Sequence, residues 1–584
     1  MNGAEYIARV LKEEKVTKVF GQCGHTNYAL IDALHKAGIE FISFRHEQMA
    51  AHAADAYYRV SHQLAVVLVH LSPGLTNALT GVVSAAADCT PMLVLAGNTT
   101  SYHHPREAHQ CIRFHADASQ GDIFRPVCKR VWRVDDPDHL PDVMARALNL
   151  AHSGRPGAVL IDLPMDVLSL PVSAGAQPTM PRRARFTRTP GDPAAVEQAA
   201  DLLVAAERPV IFAGGGVVLS EAWEEVQALA EHLGIPVATT LMGKGVIPED
   251  HPLALGTTGI WGTRLANETT KNADVVLAVG TAFGEADCSS WHPGYTFAIP
   301  PTRLIQIDID PHEIGKIYPV EVGIAGDAKA VLASLLARIR ELAPARDWRA
   351  SRAFAALQER RRQWLEELRP QQEDSGRPIH PARLLYEISR VLPRDAIVVT
   401  DVGWNKNGAG QQLPTYNPQT FLTSGGMATM GFAPAAAVGA KLGRPDRKVV
   451  ALVGDGGLTS VVGALATSVE YGLPVVWVLF NNFCYSTILA MGNTYFDSNY
   501  GTAFQRPDGS LYNPDFQLLA RSFGLESRLV EDPDDIGPAL AEALALDAPC
   551  LVEVRTRGDL PMPRTGYWDI ADLLTSGKVP VREV

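Results

Sequence analysis

The sequence predicts an α/β protein built from three doubly wound domains with parallel sheets. Runs that consist mainly of apolar, β-branched residues recur along the chain, and alanine-rich helical stretches separate them. A strand that is apolar along its whole length needs a helical layer on each face, which is the arrangement of a parallel sheet. The predicted strands are 64–70, 91–97, 158–164, 209–215, 274–280, 303–310, 396–403, 448–457 and 474–482.

Two stretches without apolar periodicity divide the chain. Residues 171–193 are rich in Pro, Arg and Thr, and residues 342–380 carry a strongly charged helical segment between polar ends. Such compositions are typical of linkers and solvated surfaces. The predicted domains are 1–170, 190–342 and 378–560, followed by a C-terminal tail at 561–584.

Composition limits the classes of function. The 584 residues are 46% hydrophobic and 20% charged, and the net charge of −12 argues against a basic nucleic-acid footprint. Seven dispersed cysteines without a CxxC pair are typical of a reducing cytosol. No apolar run reaches the roughly 20 residues of a membrane helix, and the N-terminus has no signal-peptide core. We therefore expect a cytoplasmic protein with neither a nucleic-acid nor a membrane partner.

The most informative stretch joins two predicted strands. One strand ends in Gly-Asp-Gly-Gly at 454–457, and the next ends in Asn-Asn, so that Asn482 lies 27 positions after Asp455. Glycines at a strand end let backbone N–H groups approach an anion, and the N-terminus of the next helix favours phosphate charge. Asp and Asn supply the hard oxygen ligands that Mg²⁺ prefers. The alternative, two ordinary strand–turn–helix junctions, is disfavoured by the Asn-Asn at this spacing.

This segment resembles the GDG…NN signature of thiamine-diphosphate (ThDP) enzymes. The three-domain layout resembles the acetohydroxyacid synthase and benzaldehyde lyase superfamily over the whole chain. The resemblance implies a pyrimidine-binding domain, a middle domain and a diphosphate-binding domain in that order. It also implies ThDP and Mg²⁺ as cofactors of a lyase, hydrolase or transferase that acts on C–C bonds.

Carried over residue by residue, the resemblance implies a metal and diphosphate site in the third domain. Asp455 and Asn482 would bind Mg²⁺ through their side chains and Cys484 through its backbone carbonyl. The segment TDVGWNKN at 400–407 matches the upstream diphosphate loop of the family. The implied contacts to the diphosphate region are Gly403, Trp404, Asn405, Gly454, Gly456 and Gly457.

The segment 424–440 matches the part of the family that bends the cofactor. The resemblance implies that Met430 lies between the two cofactor rings and that the Ala428 carbonyl accepts a hydrogen bond from the 4′-amino group. As a lone residue, Met430 would more often fill a core. Tyr485 and Ile488, which follow the metal ligands, are implied to lie beside the reacting carbon.

The stretch SFRHEQMAAHAADAYYR, 43–59, places Glu47 between two histidines. A zinc helix is excluded because His46 and His52 are six positions apart, about 600° of helical rotation, which points the rings apart. Alanine-rich neighbours leave little polar face for a surface glutamate. The resemblance implies that Glu47 hydrogen-bonds N1′ of the aminopyrimidine and so activates the cofactor. It further implies a homodimer or homotetramer with active sites at subunit interfaces, because this glutamate and the metal site come from different subunits.

Three polar side chains are expected in the substrate pocket. His25 lies in GQCGHTNYA, His70 in HLSPGLTN and Gln110 in AHQCIRFHADAS. A single histidine is more often structural than catalytic. Three such residues on segments that should line the pocket favour proton transfer and stabilisation of an oxyanion.

The same segments select among reactions. Acetohydroxyacid synthases usually have proline and glycine where this chain has Cys23-Gly24-His25, and a tryptophan where it has Met491. The loops look most like the cyclohexane-1,2-dione hydrolase branch, which makes C–C cleavage of a cyclic 1,2-diketone the leading hypothesis. The alternatives are an acetolactate-synthase-like carboligase or decarboxylase of 2-oxo acids, and a 2-hydroxyacyl-CoA lyase with a basic track at 181–185. A non-catalytic nucleotide-binding subunit is disfavoured because it would not need Glu47.

The middle domain resembles the flavin-binding middle domain of the synthases. Glycine-rich turns at 213–216, 256–263 and 279–287 match, but the arginine-containing segment of the family is replaced by AFGEAD. Glycine-rich turns also mark ordinary α/β connections. A structural FAD and a domain without flavin therefore both stay open.

Overall fold

The computed structural model describes residues 1–103, 106, 108–112, 119–173 and 188–570. These residues form three six-stranded sheets in which every pairing between neighbouring strands is parallel. Helices flank each sheet. The predicted α/β class with three parallel sheets is confirmed.

The first sheet has the strand order β2-β1-β3-β4-β6-β5. Its strands are β1 Lys18–Gly21, β2 Glu40–Ser43, β3 Ala65–His70, β4 Met92–Asn98, β5 Arg130–Arg133 and β6 Ala158–Pro164. Its helices are α1 Gly3–Glu13, α2 Tyr28–Ala37, α3 Glu47–Ser61, α4 Leu71–Ala87, α5 Leu140–His152 and α6 Met165–Ser169.

The middle sheet has the order β12-β11-β10-β7-β8-β9. Its strands are β7 Pro209–Ala213, β8 Val237–Thr239, β9 Ala254–Thr257, β10 Val275–Val279, β11 Arg303–Asp308 and β12 Val322–Ala325. Its helices are α7 Pro193–Ala205, α8 Gly215–Leu219, α9 Trp223–Leu233, α10 Arg264–Lys271 and α11 Ala328–Leu342.

The third sheet has the order β14-β13-β15-β16-β18-β17. Its strands are β13 Ile397–Thr400, β14 Phe421–Thr423, β15 Val449–Gly454, β16 Val475–Asn481, β17 Glu526–Val530 and β18 Cys550–Arg555. The charged α12 Arg352–Gln372 precedes this domain, whose helices are α13 Pro381–Val391, α14 Trp404–Gln412, α15 Phe432–Gly443, α16 Asp455–Ser460, α17 Gly463–Glu470, α18 Ser486–Phe496, α19 Phe516–Phe523 and α20 Ile536–Ala545.

One apolar core joins the first and third domains, while the middle domain packs around clusters of its own. The contact between the joined domains is made by α3 and α15, which are rich in alanine. A Cβ at Gly439 would collide with the Ala53 carbonyl, so the two helix backbones approach as closely as this glycine allows. This packing fixes the helix that begins with Glu47 against the helix that follows the loop of Ala428 and Met430.

The ends and linkers are described in part. The segment up to Ile570 packs on the middle domain, where Gly566 N donates to the Ile260 carbonyl (3.0 Å) and Trp568 contacts Trp261. The rest of the predicted tail, most of the 171–193 linker and the basic 181–185 track lie outside the described residues. Within the described ranges, no helix is both long and apolar enough to span a lipid bilayer.

Candidate active site

The cofactor residues predicted in the third domain gather at one end of its sheet. β13 lies between β14 and β15, so the connections that follow β13 and β15 leave in opposite directions. A crevice opens at such a switch point, beyond the carboxyl ends of the strands, and ligands of α/β sheets bind there. Thr400 pairs with Leu452, which brings the 401–405 loop beside the 454–457 loop.

Two helices begin at this edge with uncapped N-termini. α14 and α16 follow Gly403 and Gly454, neither of which can offer a side-chain oxygen to the first N–H groups. N–H groups at the positive end of a helix dipole favour a phosphate. In α16 one of these groups, Gly456 N, donates to Asp455 Oδ1 (2.9 Å). A Cβ at Gly454 would meet nothing within 4 Å, so open space lies beyond β15. These residues fit the diphosphate group that the sequence predicts here.

The side chains of Trp404 and Asn405 turn toward the protein. Trp404 Nε1 donates to the Leu560 carbonyl (3.3 Å), and Asn405 Nδ2 donates to the Leu452 carbonyl (2.9 Å). Gly403 has a φ of 119°, a conformation that favours glycine. The 403–405 segment can therefore offer main-chain N–H groups to a ligand, while its side chains fix the loop.

Asp401 is a buried carboxylate that sequence reasoning missed. Its oxygens accept from Val402 N (2.7 Å) and from Gly431 N (3.0 and 3.1 Å), so it links the end of β13 to the start of α15. Burial raises the pKa of this carboxyl to about 6, although the backbone donors oppose the shift. The only sequence signal for Asp401 is its position directly after a buried strand.

The predicted metal ligands lie in two touching loops. Asp455 is buried, and its Oδ2 accepts from Phe483 N (2.7 Å), Asn482 N (3.2 Å) and Asn513 Nδ2 (2.8 Å). The Asn482 side-chain oxygen accepts from Cys484 N (3.3 Å). The loop after β16 is therefore fixed onto the carboxylate that begins α16.

The donor set of this corner fits Mg²⁺. A carboxylate, an amide oxygen and a backbone carbonyl are hard ligands, and Mg²⁺ completes its octahedron with phosphate and water oxygens. Burial raises the pKa of the Cys484 thiol to about 12, so this residue can offer its carbonyl rather than a thiolate. Across the described residues, no three His, Cys, Asp or Glu side chains are grouped as a metal site, so an ion here would depend on the amide, the carbonyl and the ligand's own oxygens.

Apolar side chains lie exposed around this corner. Tyr485 is 40% exposed, Ile488 53% and Met430 40%. Tyr485 covers Gly456, where a Cβ would lie 2.5 Å from its ring. Ala428 has a φ of 47°, which a non-glycine residue rarely adopts. Exposed apolar groups beside a polar cradle are typical of a surface that a ligand or another subunit covers.

Glu47 begins α3 and is only 4% exposed. Asn77 Nδ2 donates to its Oε2 (3.0 Å), and the Gln22 amide donates to Oε1 (2.7 Å) and Oε2 (3.3 Å) once its nitrogen is turned toward the carboxylate. Gly74 packs against Oε1, where a Cβ would lie 2.9 Å away. Gln22 and Asn77, which the sequence did not single out, thus hold a buried carboxylate at the switch point between β1 and β3.

His25, His70 and Gln110 meet at the same switch point. The two imidazole rings lie 4.6 Å apart between centroids. His70 Nδ1 lies 2.7 Å from Thr26 Oγ1, and its Nε2 lies 3.3 Å from Gln110 Oε1. Burial lowers the pKa of His70 below its usual 6.5, and the charge of His25 lowers it further, while Gln110 and Glu47 raise it. The structure therefore brings the three predicted pocket residues together near Glu47.

The comparisons identify the class of protein to which this site belongs. Residues 1–118 match the N-terminal TPP binding domain of thiamine pyrophosphate enzymes, residues 196–335 their central domain and residues 401–554 their C-terminal TPP binding domain. The chain belongs to the family of ThDP-dependent enzymes.

Within that family, the curated proteins similar to this chain include acetolactate synthase large subunits. A probable acetolactate synthase large subunit of Methanococcus aeolicus is 36% identical over 574 residues, which cover 95% of this chain and 92% of that protein. The acetolactate synthase isozyme 3 large subunit of Escherichia coli (strain K12) is 33% identical over 555 residues, with 93% and 92% covered. These relatives support the acetolactate-synthase-like alternative and give no support to the cyclohexane-1,2-dione hydrolase branch.

The glycines that suggested a flavin site are explained by packing inside the middle domain. Gly214 and Gly216 lie against the Gly280 backbone, and Gly259 lies against the Ala286 carbonyl, so a Cβ at any of them would collide. Close backbone contact accounts for these glycines without a ligand. The structural FAD stays a prediction, which a visible spectrum of the purified protein tests through flavin absorbance near about 450 nm.

Proposed function

We propose that this enzyme uses ThDP and Mg²⁺ to cleave or form the C–C bond beside the carbonyl of a small 2-oxo acid, as an acetolactate-synthase-like decarboxylase or carboligase. The observation that carries the proposal is the corner at which Asp455 and Asn482 touch beside two uncapped helix N-termini. The names of the curated relatives support the choice of a 2-oxo acid.

Each group of residues has a separate task in this proposal. Asp455, Asn482 and the Cys484 carbonyl would hold Mg²⁺, which would neutralise diphosphate charge. Glu47 would share a proton with the aminopyrimidine N1′, and its burial would keep water from that contact. Bound ThDP supplies the carbon nucleophile that attacks a carbonyl group. Gln110 would orient the substrate, and His70 would move a proton at its oxygen.

We propose that a second copy of the chain completes the site. The described hydrogen-bond partners of Glu47 all lie in the first domain. A cavity of about 1160 Å³ opens beside Asn482 and Cys484, and its walls come from the third domain alone. A homodimer or homotetramer would bring Glu47 of one subunit to the exposed face of Met430 and Tyr485 of another.

One observation favours a second candidate, the cleavage of a cyclic 1,2-diketone. The His25–His70–Gln110 cluster places an imidazole of lowered pKa beside an amide, which suits the activation of water. Water attack is required for hydrolytic cleavage and is not required for carboligation.

A substrate panel separates these candidates. The purified protein is incubated with ThDP, Mg²⁺ and either 2-oxo acids, cyclic 1,2-diketones or 2-hydroxyacyl-CoAs, and the products are identified by mass. We expect a carboligated hydroxyketone or hydroxyacid from 2-oxo acids. A ring-opened acid formed only from the diketone would instead establish the second candidate, and cleavage of the acyl-CoA would contradict both.

The pH profile tests the role of His70. Because its pKa lies below 6.5, the imidazole stays neutral at neutral pH, and kcat/KM should fall only as pH drops below that value. Gln110→Ala removes an interaction that raises this pKa and should shift the acidic limb to lower pH. His25→Ala removes a charge that lowers it and should shift the limb to higher pH. Shifts in the same direction, or none, would contradict a catalytic His70.

A further inference from the structure

The loop at 424–430 presents the residues predicted to contact the cofactor rings, yet it makes few contacts of its own. Met427 and Met430 are 43% and 40% exposed, and Ala428 has a φ of 47°. Inside the loop, Thr429 N donates to the Ser424 hydroxyl (3.1 Å). Its conformation must therefore depend on what holds its two ends.

The end of the loop at Gly431 is held by Asp401, and the start is held by another domain. Asp88, at the C-terminal end of α4, accepts from Gly425 N (3.0 Å) and from Gly426 N (2.7 Å). The Ser84 hydroxyl lies 3.0 Å from the Ser424 hydroxyl. The first domain thus holds the first three residues of the loop through both main chain and side chain.

Arg59 hydrogen-bonds Asp88, the carboxylate that holds the start of the 424–430 loop. Its Nη2 donates to Asp88 Oδ2 (2.6 Å), and its Nη1 donates to the Thr423 carbonyl (2.6 Å). Its Nε is fixed by Asp55 Oδ1 (2.9 Å). A carboxylate at a helix C-terminus is disfavoured by the helix dipole, and a buried charge needs a partner, so Asp88 depends on this guanidinium.

The approach between the two domains is tight at this place. A Cβ at Gly426 would lie 2.8 Å from the Ala87 side chain, and one at Gly425 would lie 3.0 Å from Asp88 Oδ1. On the other side, Lys406 Nζ donates to the Ser424 carbonyl (2.8 Å). The start of the loop therefore has polar partners on both sides and little space to shift.

We propose that Asp88, oriented by Arg59, is a positioning residue for the 424–430 loop. The first domain would thereby determine where Ala428 and Met430 lie relative to the cofactor that the third domain of the same chain holds. This inference rests on the proposed contact of Ala428 and Met430 with the cofactor rings.

The test is Asp88→Asn, studied with and without cofactor. The oxygen of the new side-chain amide can accept a hydrogen bond from one glycine N–H. Its NH₂ group is itself a donor, so it cannot accept from the second glycine N–H, and the ion pair with Arg59 is lost. Loss of a hydrogen bond to a charged group typically changes an equilibrium constant, such as that for opening the loop, by about tenfold or more. We expect hydrogen exchange at the Gly425 and Gly426 amides of the cofactor-free protein to be about tenfold faster, and ThDP to bind about tenfold more weakly.

The matched control is Glu313→Gln, which breaks a partly exposed ion pair between domains, Glu313 with Arg155 (2.6 Å), and keeps both the Asp88 carboxylate and its two glycine donors. It should leave exchange at the two glycine amides and ThDP affinity unchanged. Parent-like exchange in Asp88→Asn would overturn the proposal. Faster exchange with parent-like ThDP affinity would also overturn it, because the loop would then not be positioned for the cofactor.

A milder variant covers the case in which Asp88→Asn does not fold. Ser84→Ala removes only the hydroxyl that touches Ser424, and it should speed exchange across 424–430 and weaken ThDP binding by a smaller factor in the same direction. No change in either measurement would count against positioning by the first domain. A parent protein that fails to bind ThDP at all would contradict the proposed function rather than this inference.

Discussion

Glu47→Gln is expected to lower turnover by about 10²- to 10⁴-fold, the usual contribution of a group that exchanges a proton in catalysis. The substitution keeps the volume of the side chain and replaces one carboxylate oxygen by an amide nitrogen that cannot take up a proton. Turnover is measured with saturating ThDP and Mg²⁺ on the best substrate of the panel. ThDP affinity, measured by titration, should change far less than turnover.

The control for this prediction is Glu40→Gln. Glu40 lies in β2 of the same domain, but it is exposed and pairs with Lys18 at the surface (3.3 Å), so its loss should leave turnover within about twofold. Parent-like turnover in Glu47→Gln would remove this carboxylate from the mechanism. An equal loss in both variants would indicate a general effect on folding.

The sequence predicts the fold class well because a strand that is buried on both faces of its sheet appears in the sequence as a run of apolar residues. β3, β4, β6 and β15 are buried over almost their whole length and consist mainly of apolar residues, and each was predicted from its apolar run. Nine of the described strands were not predicted: β1, β2, β5, β8, β9, β12, β14, β17 and β18. All six edge strands of the three sheets are among them, and eight of the nine have five residues or fewer. Short edge strands lack the continuous apolar run on which the prediction depends.

The candidate site divides along a similar line. The metal and diphosphate residues could be proposed because each follows a buried strand directly, and the carboxyl ends of neighbouring parallel strands meet. The role of Gln22 and Asn77 could not be assigned from the sequence. Both act by hydrogen-bonding Glu47, and this contact exists only because three separate segments of the chain meet in the fold. Asp88 and Gly425 are 337 positions apart in the sequence, and they meet because the first and third domains pack together, mainly through α3 and α15.

Helix α3 links two parts of the proposed chemistry. Glu47 lies in its first turn and Arg59 in its last, a separation of twelve residues or about 18 Å along the axis. If the active site forms between subunits, one end of this helix serves the cofactor of the partner while the other end steadies the cofactor loop of its own chain. A rigid, almost fully buried helix suits both tasks, because neither end can move without disturbing the shared core.

Asp455→Asn is expected to raise the Mg²⁺ concentration needed for half-maximal ThDP binding by at least about 100-fold. Removing a residue that hydrogen-bonds a metal ligand typically lowers metal affinity about 10- to 100-fold. Removing a carboxylate that binds the metal directly should lower the affinity at least as much. The amide keeps one oxygen for the N–H donors of Phe483 and Asn513, which preserves the loop. Binding is followed by titrating ThDP at several Mg²⁺ concentrations.

Asp508→Asn serves as the control, because Asp508 is an exposed turn residue of the same domain that accepts from Ser510 N (2.9 Å) and lies outside the proposed ligand set. It should leave the Mg²⁺ dependence unchanged. Parent-like Mg²⁺ dependence in Asp455→Asn would exclude the carboxylate as a metal ligand. Weak ThDP binding that no Mg²⁺ concentration restores, with unchanged thermal unfolding of the cofactor-free protein, would agree with a ligand that both the metal and the diphosphate require.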